Sequence, residues 1–283
     1  RYLGAIMAAA WGADVPVSGP RDEVAWLLGP SAAAALEDTA PPPSALFADG
    51  GCAVLHSGSD HVFVDCGPVG LAGRGGHGHN DCLAVDAVLD GVHLLADCGS
   101  YVYTASVEWR NRFRSTAAHN TPCVDGEEQN RFVAETNLWQ LQYDAVPELI
   151  EWRADPEPLV RASHRGYRRL ASPVTPVRAV RLDPAAHRLE IMDEFEGDGE
   201  HEVVVPFHLA PGVQVSEDRP GRLLLDAGGR AFALAWSDPD AWEAVLGDAW
   251  VSPSYGVRVP SRRVELRRRG TLAPLSVVLE PAP

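Results

Sequence analysis

The rhythm of hydrophobic positions changes near residue 43. Before it, RYLGAIMAAAW, DEVAWLLG and SAAAALED are rich in alanine and leucine and broken by glycine and proline. That pattern predicts short helices within residues 1–40. APPPS, residues 40–44, cannot continue a helix, because proline lacks the backbone donor and clashes with the preceding turn. Beyond it the apolar residues come in short runs bounded by glycine, proline or aspartate, such as CAVLHSG, HVFVDCG, EVVVPFHLA, RLLLDAGG, AFALAWS and PLSVVLE. By the strand criteria of β-branched content and turn-residue boundaries there are about a dozen such runs. Only EPLVRA and DAWEAVLGD could pass for helices in this part. LAVDAVLDGVHLLAD reads as a hairpin closed by Asp90-Gly91. The prediction is an all-β protein: a large antiparallel β-sandwich of two packed sheets over 43–283, preceded by a short helical remnant over 1–42.

A chain of 283 residues, 46% hydrophobic and 22% charged, suits one large soluble β domain with or without a fragment of another. No apolar run reaches membrane-spanning length, so membrane insertion is not expected. A net charge of −15 argues against a nucleic-acid partner. It also runs against an acidic ligand, which directs attention to how the charge is distributed. Acids cluster late, in EFEGDGEHE, while Arg110, Arg112 and Arg114 gather in EWRNRFR, and a cleft can be positive on an acidic molecule. The five cysteines, Cys52, Cys66, Cys82, Cys98 and Cys123, are odd in number and form no CxxC. Buried free thiols are the reading, with one disulfide open to an exported protein. The chain begins at Arg1 without an initiator methionine or a signal-peptide layout, so an upstream segment is expected.

Candidate chemistry concentrates in GGHGHNDCLAVD and the forty or so residues after it. Histidine nitrogens and carboxylate oxygens are zinc ligands. His77 and His79 offer two imidazoles, Asp97 closes the apolar run VHLLAD, and His119 sits in STAAHNT. The alternative is a solvated loop, a turn-capping aspartate and a hydrogen-bonded core histidine. A simple two-residue hairpin at Asp90-Gly91 would set His79 opposite Val102 rather than Asp97, so a shared site needs a bend, a bulge or a third strand. On a strand, Arg110, Arg112 and Arg114 would share one face, either to hold a carboxylate or sulfate or to protect a sheet edge. Tyr101 and Tyr103 are candidate general acids or bases if a cation lies close, and otherwise pack. His164 and His208 read as structural.

Taken in order, HGHND, LLADCGSYVYT, RSTAAHNT and VDGEEQ resemble the C-terminal β-sandwich of the heparinase II/III-like polysaccharide lyases. Weaker echoes are ADGGCAVLHSG, SHRGYRRL and SPSYG, so the resemblance spans about residues 43–280. It implies one structural zinc on His79, Asp97 and His119, and a catalytic role in the cleft for His77. It implies β-elimination on a uronic-acid-containing polysaccharide, and on that reading the face read for Arg110, Arg112 and Arg114 is expected to help hold the acidic substrate. It also implies that residues 1–42 are the end of an α/α toroid whose remainder, upstream, completes the cleft. A periplasmic, cell-envelope or secreted location would follow. Two rival readings remain. One is a non-catalytic carbohydrate-binding or structural sandwich in envelope polysaccharide assembly. The other is a cupin-like metal enzyme, against which stands Asn80-Asp81-Cys82-Leu83 where a cupin has a nearby glutamate.

Overall fold

Glycine and proline set the helix limits in the first forty residues. In the computed structural model, which describes residues 2–15, 17 and 21–282, Tyr2–Trp11, Asp22–Leu28 and Pro30–Ala34 are α-helical. Gly29, at φ 93°, separates the last two, and Pro30 opens the next where its missing N–H costs nothing. Ala5, Val17 and Val24 form a small buried cluster there. Arg1, Pro16 and residues 18–20 of this stretch lie outside the described residues. The chain divides into two compact units, Arg1–Pro43 and Ser44–Pro283. No described helix is long and apolar enough to cross a membrane.

The strands of the second unit are all antiparallel, in three sheets rather than two, with a short α-helix at Val107–Phe113. The first is a meander of Ala45–Phe47, Cys52–Ser57, Asp60–Asp65, Val85–Leu89 and Val92–Leu95. The second has eight strands in the spatial order Gln214–Arg219, Arg222–Asp226, Ala231–Trp236, Leu275–Pro281, Arg188–Gly197, Val174–Asp183, Leu159–His164 and Pro147–Arg153. The third has four, in the order Glu243–Ser254, Val257–Thr271, Glu200–His208 and Cys123–Val124. EPLVRA and DAWEAVLGD both lie in strands. The meander and the four-stranded sheet are stitched together where Ala96 N donates to His208 O (3.0 Å) and Ala210 N to Leu94 O (2.9 Å). These two sheets therefore act as one interrupted layer, sharing a single buried cluster with the eight-stranded sheet: Leu55, Val62 and Leu89 from the meander, Val205 and Phe207 from the four-stranded sheet, and Val180, Leu189 and Leu279 from the eight-stranded one.

Alternation explains most strand faces. In Val85–Leu89, Val85, Ala87 and Leu89 are buried while Asp86 and Val88 are half-buried. Val174–Asp183, inside the large sheet, is buried on both faces over most of its length. One charge pair is locked inside. Arg178 Nε and Nη2 donate to the two oxygens of Asp193, its cross-strand partner, at 2.7 and 2.8 Å. Arg178 Nη1 donates on to Leu83 O at 2.9 Å and to Asn120 O. Asn120 in turn donates to Val85 O (2.8 Å) and Ala96 O (3.2 Å) and accepts from His208 N. A fully satisfied buried network of this kind fixes the loops above it.

Candidate functional site

The hairpin and the shared histidine site prove compatible. Leu89 pairs with Val92 across Asp90-Gly91, and a register shift between Ala87 and Val88 brings Ala87 opposite Leu95. The first arm begins only at Val85, so GGHGHND is loop and need not follow the hairpin plane. Asn80 N donates to Arg114 O (3.0 Å), which turns His79 away from the ladder. A Cβ on Gly78 would collide with the Val69 carbonyl oxygen, so its requirement for glycine is close approach rather than an unusual dihedral.

The motifs on either side are one polar scaffold. Asn80 Nδ2 donates to Glu128 Oε2 (2.7 Å) and Asn130 O (3.0 Å), and its oxygen accepts from Asn130 N (3.0 Å). Glu128 also accepts from the backbone N–H and hydroxyl of Thr116, both at 2.7 Å, at the start of the single turn Thr116–Ala118 that delivers His119. Gln129 Nε2 donates to Cys82 O (2.9 Å) and the Thr121 hydroxyl (2.9 Å). HGHND, STAAHNT and VDGEEQ are thus held by each other.

Buried in this scaffold, His79, Cys98 and His119 bring ligand-type atoms within 4.8 Å of one another, a group that could hold a metal ion. The His79 and His119 ring centroids are 5.2 Å apart. Asp97 stands beside the group: its Oδ1 accepts from His119 Nδ1 at 2.6 Å and its Oδ2 from Gly99 N at 2.7 Å. His119 Nε2 is buried without a partner, an orphan acceptor or donor of the sort that a metal would satisfy. Two imidazoles, a thiolate and a carboxylate are a donor set zinc accepts. Burial, then the neighbouring His119, pushes His79 down to about 3, which keeps its imidazole neutral as a ligand must be. Burial opposes the charged form of His119, but Cys98 and Asp97 outweigh it and hold His119 well above the ordinary histidine range. Burial likewise opposes the Asp97 carboxylate, and His119 with Gly99 N–H more than offsets it, holding Asp97 below the usual range. Arg110 Nη1 donates to His79 Nε2 at 2.7 Å, so this hydrogen bond and ligation through the same nitrogen are alternatives. Cys98 was absent from the sequence-derived set. Its neighbours in the group lie far along the chain, and nothing in its local spacing marks it out.

The arginine pattern requires a correction. Residues Val107–Phe113 form a helix, not a strand, so Arg110, Arg112 and Arg114 do not line one face together. The Ser106 hydroxyl caps it by accepting from Trp109 N, and Glu108 sits in its first turn. At helical spacing Arg110 and Arg114 point inward and Arg112 outward. Arg110 is fully buried against His79 and Gly78 O. Arg114 is fully buried too, donating to the Asn111 side chain (3.0 Å) and to Asn137 O (2.9 Å). Arg112 is exposed and lies over the Trp109 ring, 5.1 Å from its centroid. Two of the three thus organise the site from within rather than offering charge to a ligand.

His77 differs from His79 in exposure rather than in the cavity it meets. It is exposed and lines an open cavity of about 410 Å³ together with His79, Asp65, Asp81, Asp97 and Ser100. Burial, then the neighbouring Asp81, pushes Asp65 up to about 8, so near neutral pH this wall carries less negative charge than its carboxylates suggest. His77 meets Tyr103 and Trp139 edge-on at 5.4 and 5.2 Å. Of the two tyrosines, Tyr103 stands beside His77, with the Arg110 guanidinium 5.1 Å from its ring. Tyr101 has φ 53° and packs on Trp109 and Phe113. His164 and His208 are buried, and burial pushes them down to about 3 and about 4. All five cysteines are free thiols, four of them buried. A larger cavity, about 670 Å³, opens along Glu217–Leu223 and Trp236–Leu246. Of its five arginines, Arg222, Arg267 and Arg269 are paired with Asp218, Glu265 and Glu202, and it has no histidine or cysteine.

The antiparallel β architecture has known counterparts. A family model described as Heparinase II/III-like, C-terminal, matches residues 39–277, and the chain belongs to this family. Among solved structures, heparan sulfate lyase HepC from Pedobacter heparinus superposes with a TM-score of 0.73 at 15% identity, over 92% of this chain and 40% of that one. A heparinase III gene product gives 0.71 at 21% identity, over 89% and 38%. Chondroitin AC lyase from Streptomyces coelicolor, in complex with chondroitin sulphate, gives 0.50 at 15%, over 89% and 34%. At these identities the likeness establishes the fold alone, and the chain spans about two fifths or less of each structure's length. A comparison with curated protein sequences gave no match. Family membership sets the cupin reading aside.

Proposed function

We propose that this chain is the β-sandwich part of a polysaccharide lyase that cleaves a uronic-acid-containing polymer by β-elimination. The observation that carries the reading is the exposed His77, with Tyr103 at 5.4 Å, on an open cavity also lined by His79 and Asp97, behind which lies the buried His79/Cys98/His119 group. In the reaction a base removes the proton at C5 of the uronate. The electron pair forms the C4–C5 double bond, the bond from C4 to the glycosidic oxygen breaks, and an acid protonates that oxygen. His77 and Tyr103 are the groups in this chain assigned to those proton transfers, and Tyr101 is a packing residue. A helical toroid supplies the opposite wall, and the substrate carboxylate meets its partner there, since Arg110 and Arg114 are occupied internally.

The ion we assign to the buried group is zinc, with His79, His119, Cys98 and Asp97 as donors. A site closed by four protein ligands is structural and leaves no open catalytic position. Ligation would need Cys98 as a thiolate, whose thiol burial raises to about 11, and a free nitrogen on His119, so binding would release protons and uptake would strengthen as pH rises. A polymer of this kind is met outside the cytoplasm, so a periplasmic or cell-surface location goes with the reading. The test is a panel of uronic-acid polysaccharides followed at ~232 nm, where the unsaturated product of such an acid–base elimination absorbs. The expected result is a rise on one polymer. Binding without any rise would favour a carbohydrate-binding role instead.

A further inference from the structure

Beside His77 three aromatic rings lie in a row. Tyr103 is 5.3 Å from Trp139 at an interplanar angle of 28°, and 5.9 Å from Tyr255 at 31°. Trp139 is 42% exposed and Tyr255 64%, so this is a contiguous apolar surface open to solvent. Three distant chain segments deliver these rings, and each is tied down. The turn carrying Tyr255 is anchored by Gly256 N donating to Tyr101 O (2.7 Å) and Ser252 N to Cys98 O (2.8 Å). A Cβ on Gly99, at φ 73°, would collide with Ser252 O, so that docking requires glycine. The loop of Trp139 is held by Arg114 Nη2 on Asn137 O (2.9 Å) and by Leu141 N on Arg74 O (3.1 Å).

We infer that Trp139 and Tyr255, flanking Tyr103, form a stacking subsite for a pyranose ring of the polymer, next to the ring that reacts at His77. A pyranose presents an apolar C–H face and a polar rim. An exposed ring row edged by His77 and a carboxylate-lined cavity matches both. The cavity's carboxylates do not favour an acidic sugar, but the neighbouring hairpin carries a cation. On the Tyr255 hairpin, Arg258 lies 3.6 Å from the Trp109 centroid and 4.4 Å from that of Trp250, and has no carboxylate partner among the described residues. Rings fixed before binding lose little freedom on contact, which is how such a surface contributes affinity. The inference takes the identity of the ligand from the proposed function, but it concerns binding rather than chemistry.

The test is calorimetric titration of the His77→Ala chain, which leaves the ligand uncleaved, with alginate, heparan sulfate and polygalacturonate oligosaccharides. On the polymer that binds, Tyr255→Ala and Trp139→Ala should each weaken affinity about tenfold, and Tyr255→Phe by less than about twofold, because the ring and not the hydroxyl makes the contact. Unchanged affinity in both alanine variants would overturn the subsite. So would equal losses for Tyr255→Phe and Tyr255→Ala, or failure of all three ligands to bind. The two readings separate cleanly. Ring-dependent binding by a chain that cleaves nothing keeps the subsite and removes the lyase. Cleavage with a KM indifferent to Tyr255→Ala keeps the lyase and removes the subsite.

Discussion

His77 and His79 are separated by one glycine, yet they belong to different media. His79 is buried, neutral and bonded to Arg110, within reach of Cys98 and His119. His77 is exposed, edged by Tyr103 and Trp139, and open to a cavity. Desolvation holds His79 in the neutral state that metal ligation would require, a constraint that does not fall on an exposed ring. The loop between them is held close, since a Cβ on Gly78 would collide with the Val69 carbonyl oxygen.

The buried side is where the contrast can be broken hardest. Arg178→Ala leaves Asp193 without its partner in the interior and frees Leu83 and Asn120. Loss of a buried pair costs about 3–5 kcal/mol, so chemical denaturation should show a shift of that size or outright misfolding. On the open side, His77→Ala should lower turnover about 10²- to 10⁴-fold while changing stability by less than about 0.5 kcal/mol. A loss of stability matching that of Arg178→Ala would erase the distinction between the two regions.

Acid sharpens it further. His164 is fully buried and pushed down to about 3. Between its ordinary value near 6.5 and about 3 the unfolded chain binds the proton and the folded chain does not. Stability from this group is therefore complete above ~6.5 and declines as pH falls through that window, by a few kcal/mol at most. A His164→Phe chain should show a shallower decline in melting temperature over the same range. The smallest effect expected is for Arg112→Ala, within about ±0.5 kcal/mol of the parent because Arg112 is exposed, whereas Arg110→Ala should destabilise measurably.

The strands were readable because their alternation is strong, as in Val85–Leu89, and because Asp90-Gly91 is an unambiguous turn. The number of sheets was not, since the break between the meander and the four-stranded sheet depends on hydrogen bonds such as Ala96–His208 between distant segments. EWRNRFR misled because alternating arginines mimic a strand. The competing signals were the Ser106 cap, Glu108 in the first turn, and Trp109 with Phe113 one helical turn apart. For the site, the histidines and Asp97 could be picked from the motifs. Cys98, and the row of Tyr103, Trp139 and Tyr255, arise only when separate segments meet, and a single chain read in order carries no spacing that announces them.

The most direct test of the account is metal content in three purified chains: the parent, His77→Ala and His79→Ala. The account predicts about one zinc per chain in the parent and in His77→Ala, and none in His79→Ala, with a lower melting temperature when the ion is gone. A parent chain without stoichiometric metal, or loss of metal on replacing His77, would contradict it.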